Sequence, residues 1–558
     1  MKLLPVVSLT LALAAIGGST RIQTADAQNA TPHSGKSGTK IHGRFLGVTH
    51  PGHSLFSPAP HAHKVIVPFH PLLHNKALTM KEYEALKNKN GHSLSARNGR
   101  DAAFSENSFS PLASPSSSNG FLYTGAGLNQ NQAGGSYPSD CSLAVGPSYA
   151  VEPSNSVVAI YSKTLTDSTA SLTQLSITDA NTFMNWPAVQ GVDPNGNANY
   201  SGAFDPRVVY DERGKRFIVT YDAFPYVDAN GVYHSPMLLA ISQSSDPTGA
   251  WDTYNVDVAA SITTDPINNP TPFLDFPNLG IDDSNIYITA DVLGTYYQGA
   301  TLLVLNRTEF ESGVPNGNIW TGLNGTLTPP FVRTAGTNNS SYFVFSQPYS
   351  TAVGMYALTG GTNPVLSTAY SITVPYYEIP PNATQPGGAT LDTLDARFQD
   401  KIVQVGDSVY AVHSVSSNNF PTVRAYELDG YQETLKQTID CYRTATSDDF
   451  NPSITVNDIG SVAINWNCTD IGTRTSPLTT FETIAVATLS GKKPWVAHTK
   501  GKIVAGSASD RARYNFRNGD YSMLVLDPTN PLVAWGVNMN TADYFFWQNY
   551  IFGFKLTK

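Results

Sequence analysis

The sequence predicts an all-β protein, a seven-bladed β-propeller of four-stranded antiparallel blades preceded by a poorly ordered N-terminal arm. The first observation is composition: 14% of the 558 residues are charged, 11% are aromatic, and Gly (44) and Pro (37) recur throughout, which is typical of secreted β-sheet proteins. The second is that short alternating runs, separated by turn residues, begin near Cys141 and indicate strands. The third is a strand–turn–strand phrase that recurs at a nearly regular interval.

The chain begins with a predicted signal peptide, residues 1–27. Met1 and Lys2 precede an apolar run from Leu3 to Ile16, and small residues stand before Gln28. The run is shorter than the roughly 20 residues that span a bilayer, and its pattern is that of a cleaved export signal. We therefore expect a secreted protein, extracellular or periplasmic, with no membrane span; an uncleaved anchor is the alternative.

Residues 28–135 are predicted to be a low-complexity, largely disordered arm. This stretch is rich in Ser, Gly, Asn, Pro and His, a composition that buries little apolar surface. One short helix is expected at 79–88, where Met80, Tyr83 and Leu86 recur at helical spacing. The arm's clustered histidines are read as solvated rather than as a metal site: they are His50, His53, His61, His63, His70 and His74. We expect the fold to occupy residues 136–558 without needing the arm.

The recurring phrase starts with Asp or Asn, usually near Pro, and continues as a strand, a polar turn and a second strand. Its anchors are Asp205, Asp275, Asp395, Asn451 and Asp520. The step of about 120 residues after Asp275 leaves room for a degenerate copy at 341–358, and an earlier copy starts at Cys141. Seven units of about 60 residues result, as in a propeller with long loops. Two tandem β-sandwiches, the alternative, would not repeat one phrase at this interval.

With these residues in view, the region from Cys141 onward resembles secreted bacterial β-propellers of the sialidase-like, BNR-repeat type. The resemblance is carried by Asp205-Pro206-Arg207, Asp275-Phe276-Pro277, Gly519-Asp520-Tyr521 and Trp547-Gln548. It implies the fold more than an activity. The Phe/Tyr-Arg-Ile-Pro phrase of sialidases is absent, and the nearest match to their Ser-x-Asp-x-Gly-x-x-Trp turn, 244–251, has its Gly one residue late.

The loops leading into the innermost strands of a propeller gather at one mouth, so the anchors should lie around the axis. The catalytic candidates are Asp205, Asp275, Asp395 and Asp520, because paired carboxylates can act as acid and base or nucleophile on a glycosidic bond. The substrate-binding candidates are Arg207, Arg397, Arg517, Asn451 and Tyr521; the arginines could hold a sugar carboxylate. The alternative is structural, since an Asp or Asn at the start of a strand can bond its own loop's amides.

The remaining chemical signals are sparse. Cys441 and Cys468, 27 residues apart, are expected to form a disulfide, with three buried thiols as the alternative. No metal site or cofactor is predicted, and His413 is read as a core or rim histidine. A net charge of −9 excludes a basic nucleic-acid surface.

Two functions are carried forward from the sequence. The first is a monomeric secreted propeller that binds a glycan or an extracellular protein at its mouth. The second is a carbohydrate-active hydrolase or lyase that uses the mouth carboxylates. Tyr, Arg and at least two carboxylates without partners in one deep site would favour the enzyme, whereas carboxylates bonded to backbone amides would favour the binding scaffold.

Overall fold

The computed structural model describes residues 35–51, 72–73, 76–90, 120–187, 192, 202–333, 340–385, 390–470, 480–490, 495–505, 517–543 and 546–556. The predicted signal peptide lies outside these residues, and of the six clustered arm histidines only the exposed His50 lies within them. The N-terminal elements are β1 (Gly35–Ser37), β2 (Thr39–His42), β3 (Arg44–Thr49), β4 (Leu72–Leu73), β5 (Lys76–Ala77), α1 (Met80–Asn90) and β6 (Phe121–Asn129). The predicted helix is confirmed as α1.

The next elements form two antiparallel sheets. The first contains β7 (Ala144–Val145), β8 (Tyr149–Ser154), β9 (Val157–Leu165) and β10 (Ala170–Asp179), followed by α2 (Ala180–Phe183). The second contains β11 (Ala203–Asp211), β12 (Arg216–Ala223), β15 (Pro236–Ser242) and β16 (Trp251–Asp257), with the small hairpin β13 (Tyr226–Val227) and β14 (Tyr233–His234) inserted, and is followed by α3 (Ala259–Ile262). The predicted hairpin after Asp205 is thus confirmed as β11–β12.

The middle of the chain repeats this antiparallel order. One group is β17 (Phe273–Ile281), β18 (Asn285–Leu293), β19 (Ala300–Asn306), α4 (Arg307–Glu311) and β20 (Asn316–Leu323). After β21 (Pro330–Val332), the next is β22 (Ser341–Gln347), β23 (Ser350–Thr359), β24 (Val365–Ser367) and β25 (Tyr370–Tyr377). Strand β21 runs parallel to β17, and Thr328, just before it, bridges to Val344 of β22.

The C-terminal elements complete the pattern. The short hairpin β26 (Ala383–Thr384) and β27 (Thr390–Leu391) precedes β28 (Ile402–Val405), β29 (Ser408–Ser417), β30 (Phe420–Asp429) and β31 (Thr434–Cys441). The next sheet is β32 (Asp448–Val456), β33 (Val462–Asp470), β34 (Thr480–Ser490) and β35 (Val496–Ala505). The last strands are β36 (Met523–Asp527), β37 (Asn530–Asp543) and β38 (Phe546–Lys555). Strand β28 runs parallel to β21, which joins its group to that of β17 in one continuous sheet.

Strands from the N-terminal segment pair with the outer edges of these sheets. Strand β3 pairs with β16, β2 with β20 and β1 with β24, while β6 pairs with β38 as the fourth strand of the last sheet. The expectation of a largely disordered arm outside the fold is therefore wrong for residues 35–49 and 121–129. The physical reason is that edge strands expose a row of backbone donors and acceptors, which even a polar segment can pair.

The first strands of successive groups contact one another. Strand β11 contacts β7 and β17, β21 contacts β17 and β28, β32 contacts β28 and β36, and β36 contacts β7 of the first sheet. One small cavity is lined by a side chain from each of six of them: Val145, Val209, Phe331, Val403, Thr455 and Val525. Between the sheets, the core is filled by alternating strand residues, including the fully buried Trp251, Trp466 and Trp535. The chain is thus mostly β, built from antiparallel sheets that meet along their first strands.

Candidate functional site

A repeated backbone kink brings the anchor residues to the same end of the first strands. Asp205, Phe276 and Asn451 each precede a proline and have φ of 47°, 56° and 53°, in the left-handed region that side chains with a Cβ rarely occupy. The strand register shifts at each of these three positions, as expected for a β-bulge. Asp140 and Ala396 share the left-handed geometry, with φ of 46° and 70°. The equivalents of Asp205 are therefore Phe276 and Ala396; Asp275 and Asp395 each stand one residue earlier.

Asp205, Arg207 and Tyr521 form one contact group. The Tyr521 hydroxyl donates to Oδ2 of Asp205 over 2.8 Å, and the Arg207 guanidinium lies 3.3 Å from the centre of the Tyr521 ring. Arg207 also donates to the carbonyl oxygens of Pro277 and Gln399, both over 2.8 Å. The structure thus brings all three predicted residues together. Two of the N–H donors of Arg207 are already bonded to backbone carbonyl oxygens.

Two further arginines form ion pairs with anchor carboxylates. Arg397 donates to both oxygens of Asp395 over 2.7 and 2.6 Å, and Arg517 donates to both oxygens of Asp520 over 2.6 and 2.8 Å. All four residues are buried. The prediction that these arginines could bind a sugar carboxylate is not supported by this geometry, because their forks already hold protein carboxylates.

Asn451 has a structural role. Its backbone N–H donates to the Ser414 hydroxyl oxygen over 3.2 Å, its side-chain amide donates to the Gly519 carbonyl oxygen over 3.0 Å, and its side-chain oxygen accepts from Gln399 over 3.2 Å. These bonds tie neighbouring loops together at the buried end of β32. The structural alternative considered from the sequence describes Asn451 better than substrate binding does.

Sequence reasoning missed Asp222 and Asn278, which are the least satisfied polar residues in this region. Neither carboxylate oxygen of Asp222 and neither amide atom of Asn278 has a hydrogen-bond partner among the described residues, although both side chains are fully buried. Oδ1 of Asp205 and one terminal nitrogen of Arg207 are also buried without a hydrogen-bond partner among the described residues. Asp222 is the next-to-last residue of β12 and pairs with Phe204, so it lies beside Asp205. It was missed because it lies on the second strand of its hairpin, outside the repeated phrase.

Burial raises the pKa of several carboxyl groups here. Desolvation raises the pKa of Asp222 well above its usual value, and the charges of Asp275 and Asp291 add to the rise while Arg207 opposes it. Desolvation also raises the pKa of Asp205, to which Asp140 and Asp275 contribute. The pKa of Asp291 rises to about 7 by burial, against the stabilising charge of Arg397. These groups therefore favour the protonated form, which can donate a proton or a hydrogen bond.

Helix α1 covers this cluster. Thr79 caps the helix by accepting from the Glu82 N–H over 3.2 Å, and Glu82 accepts in return from the Thr79 N–H over 2.8 Å, which is a capping box. The ring of Tyr83 packs with Phe276, Leu394 and Tyr521 in one apolar cluster. The polar end of the site is thus closed by a residue of the N-terminal segment.

The described residues include all three cysteines. Cys141, Cys441 and Cys468 are free, buried thiols, so the expected disulfide between Cys441 and Cys468 is not formed. All three are members of hydrophobic core clusters, where a thiol packs as a small apolar side chain. The part of the chain that the structure covers contains no group of His, Cys, Asp and Glu arranged to hold a metal ion.

His413 belongs to the core, as expected. Its Nδ1 lies 2.8 Å from the Ala396 carbonyl oxygen and its Nε2 lies 3.0 Å from the Tyr426 hydroxyl, and its ring stacks on Phe398. Desolvation lowers its pKa to about 3. The turn 244–251 is also structural: Asp246 accepts from the Thr248 N–H and Trp251 donates to the Pro247 carbonyl.

Among the described residues, no helix is long and apolar enough to cross a bilayer. No protein-family model and no curated protein matches the chain.

Solved structures with a similar shape include a thermostable family-43 glycoside hydrolase, with a TM-score of 0.28 and 11% identity over 70% of this chain and 98% of that one. A mutant Trypanosoma rangeli sialidase with trans-sialidase activity has a TM-score of 0.31 and 9% identity, over 65% and 56%. An exo-β-1,3-galactanase from Phanerochaete chrysosporium has a TM-score of 0.26 and 11% identity, over 74% and 91%. Scores this low carry no argument about what this chain does.

Proposed function

We propose that the chain is a secreted, monomeric seven-bladed β-propeller that hydrolyses glycosidic bonds at the mouth closed by α1. The first strands of the blades would be β7, β11, β17, β21, β28, β32 and β36, with β21 opening the fourth blade through the bridge from Thr328 to Val344. The contact of β36 with β7 and the cavity shared by six of these strands support a closed ring. Pairing of β6 with β38 supports closure of the last blade by the N-terminal segment.

The observation that carries the proposed hydrolysis is Asp222. A fully buried carboxyl group whose two oxygens lack partners among the described residues is costly to fold. A buried group without partners calls for an explanation, of which a catalytic role is one, and titratable groups perturbed by burial cluster at functional sites. Tyr521, Arg207 and the partly satisfied Asp205 lie beside it, so the cluster supplies part of the condition that favours an enzyme: a tyrosine, an arginine and one carboxyl group without partners among the described residues.

The chemistry would use two carboxyl groups with different tasks. Asp222, kept protonated by burial, would donate its proton to the glycosidic oxygen as the bond to the anomeric carbon breaks. A water molecule would attack that carbon, and Asp275, whose charge acts on both Asp205 and Asp222, would accept the water's proton. Tyr521 would hold Asp205 in place.

The test is hydrolysis of a glycan panel, read as new reducing ends, by the full-length protein and two variants. Asp222→Asn should lower the rate by about 100-fold or more, in the range of a lost general acid. Asp449→Asn is the matched control, because Asp449 is also buried but both of its oxygens accept hydrogen bonds, from Trp466, Ser447 and the Arg443 N–H. Equal activity of the wild type and Asp222→Asn would reject the assignment.

A binding-only function is the second candidate. It is favoured by the two buried ion pairs, Asp395 with Arg397 and Asp520 with Arg517. Because these carboxylates are paired, fewer carboxyl groups can take part in acid–base catalysis. Tight glycan binding without any new reducing ends, unchanged in Asp222→Asn, would support this candidate instead.

A further inference from the structure

Helix α1 places a lysine side chain in a cage of oxygen atoms at the mouth. The Lys87 ammonium donates to the carbonyl oxygens of Pro380 and Leu394 over 2.9 and 2.6 Å and to the Thr393 hydroxyl over 2.7 Å. It also lies 3.5 Å from an oxygen of Asp392. Lys87 is only 2% exposed, and lysine is almost never fully buried unless it is paired. The propeller wall therefore presents a preformed site for a cation.

Tyr83, one turn before Lys87, fills an aromatic site beside this cage. Its ring packs with Phe276, Leu394 and Tyr521, and its hydroxyl donates to the same Asp392 over 2.6 Å. The Lys87 ammonium lies 5.2 Å from the Tyr83 ring centre. Residues at the mouth thus contact an aromatic ring, a hydroxyl donor and an ammonium group, all from two side chains one helical turn apart on α1.

Tyr83 and Lys87 are the buried side chains in the described part of the helix, and the partly buried Met80 packs against the same cluster as Tyr83. The helix has 11 residues, and helices this short are marginal in water without tertiary contacts. Lys81, Glu82, Glu84 and Ala85 face solvent. If Tyr83 and Lys87 lost their contacts with the mouth, the helix would therefore detach from it.

We propose that α1 is a displaceable stopper whose Tyr83 and Lys87 occupy the binding site of a cationic amino sugar, such as an oligomer of glucosamine. The sugar's C–H face would stack on Phe276 and Tyr521, a hydroxyl would donate to Asp392, and the ammonium would enter the Lys87 cage. Acidic sugars are disfavoured, because Arg397 and Arg517 are engaged with Asp395 and Asp520 and the site of the Lys87 ammonium is lined by oxygen acceptors. This assignment deepens the proposed function by naming its substrate class, but binding is measured separately from hydrolysis.

The first experiment follows hydrogen exchange of residues 80–90 in the full-length protein with glucosamine tetramer added. Displacement predicts a faster exchange of this segment, with the N-acetylated tetramer, which lacks the cation, having an effect at least tenfold weaker at equal concentration. Unchanged exchange with glucosamine tetramer, or equal effects of the two sugars, would overturn the proposal.

The second experiment compares the affinity of glucosamine tetramer for two variants by calorimetry. Lys87→Met empties the cation cage while keeping the apolar stem, and should bind at least tenfold more tightly than the wild type. Lys81→Met, on the exposed face of the same helix, is the control and should bind like the wild type. If Lys87→Met loses stability without any gain in affinity, the helix is a structural element and the proposal fails. If glucosamine tetramer speeds exchange of α1 and binds tightly but no new reducing ends form, the displacement of α1 is supported and the proposed hydrolysis is rejected.

Discussion

Strand β6 offers a test of how the last sheet is completed. Removing residues 1–135 deletes β6, whereas removing residues 1–119 keeps it, and both deletions also remove β1–β3 and α1. The difference between the two proteins therefore isolates residues 120–135. The sequence alone suggested that this whole stretch is dispensable; the pairing of β6 with β38 predicts the opposite.

The magnitude follows from what β6 buries. Phe121 packs its ring edge-on against Phe554 with the ring centres 5.9 Å apart, and Leu128 is fully buried. Burying two such side chains contributes about 3–6 kcal/mol. Glu152 also accepts the Leu128 N–H over 3.0 Å, so the deletion leaves a buried carboxyl group with one donor fewer. The expected loss of about 5 kcal/mol is close to the whole stability of many proteins.

The assay is urea unfolding followed by tryptophan fluorescence, with size-exclusion chromatography of each protein. The shorter protein should unfold at a much lower urea concentration and aggregate, because β38 becomes an exposed edge. In the full-length chain, Leu128→Ala should cost about 3 kcal/mol, while Ala126→Ser, at an exposed position of the same strand, should change little. Equal urea midpoints for the two deletions would refute the role of β6.

Three further predictions follow from buried groups. Asp395→Asn should cost about 3 kcal/mol or more in urea unfolding, because it removes the bidentate partner of the buried Arg397 and leaves it with the more distant Asp291, at 3.6 Å. Asp283→Asn, which removes an ion pair from an exposed carboxylate, should cost less than about 1 kcal/mol. Burial raises the pKa of Glu152 from 4.5 to about 7, so its contribution to stability is greatest at low pH and is lost as pH rises through 7. Glu152→Gln should flatten that decline by up to about 3 kcal/mol between pH 4.5 and 7, and a decline as steep as in the wild type would contradict it. Maleimide should label three thiols in unfolded, unreduced protein and none in native protein; a single label after unfolding would indicate a disulfide.

The sequence by itself determined the local structure. The alternation of residues and the polar turns predicted the hairpins β11–β12, β17–β18 and β32–β33, because strand period and turn chemistry are properties of neighbouring residues. Helix α1 followed from the spacing of Met80, Tyr83 and Leu86. The recurrence of the phrase also led to Asp205, Arg207 and Tyr521, which the structure does bring together.

Only the tertiary structure decided which distant segments meet. Strand β6 lies more than 400 residues from its partner β38, and an edge strand can pair with many sequences, so no local pattern specifies that choice. The kink at Phe276 shows that backbone geometry, and not the identity of the aspartate, is what repeats. Asp222 and the Lys87 cage were invisible in sequence because their character comes from burial, which depends on the elements packed around a side chain and not on the residues beside it in the chain.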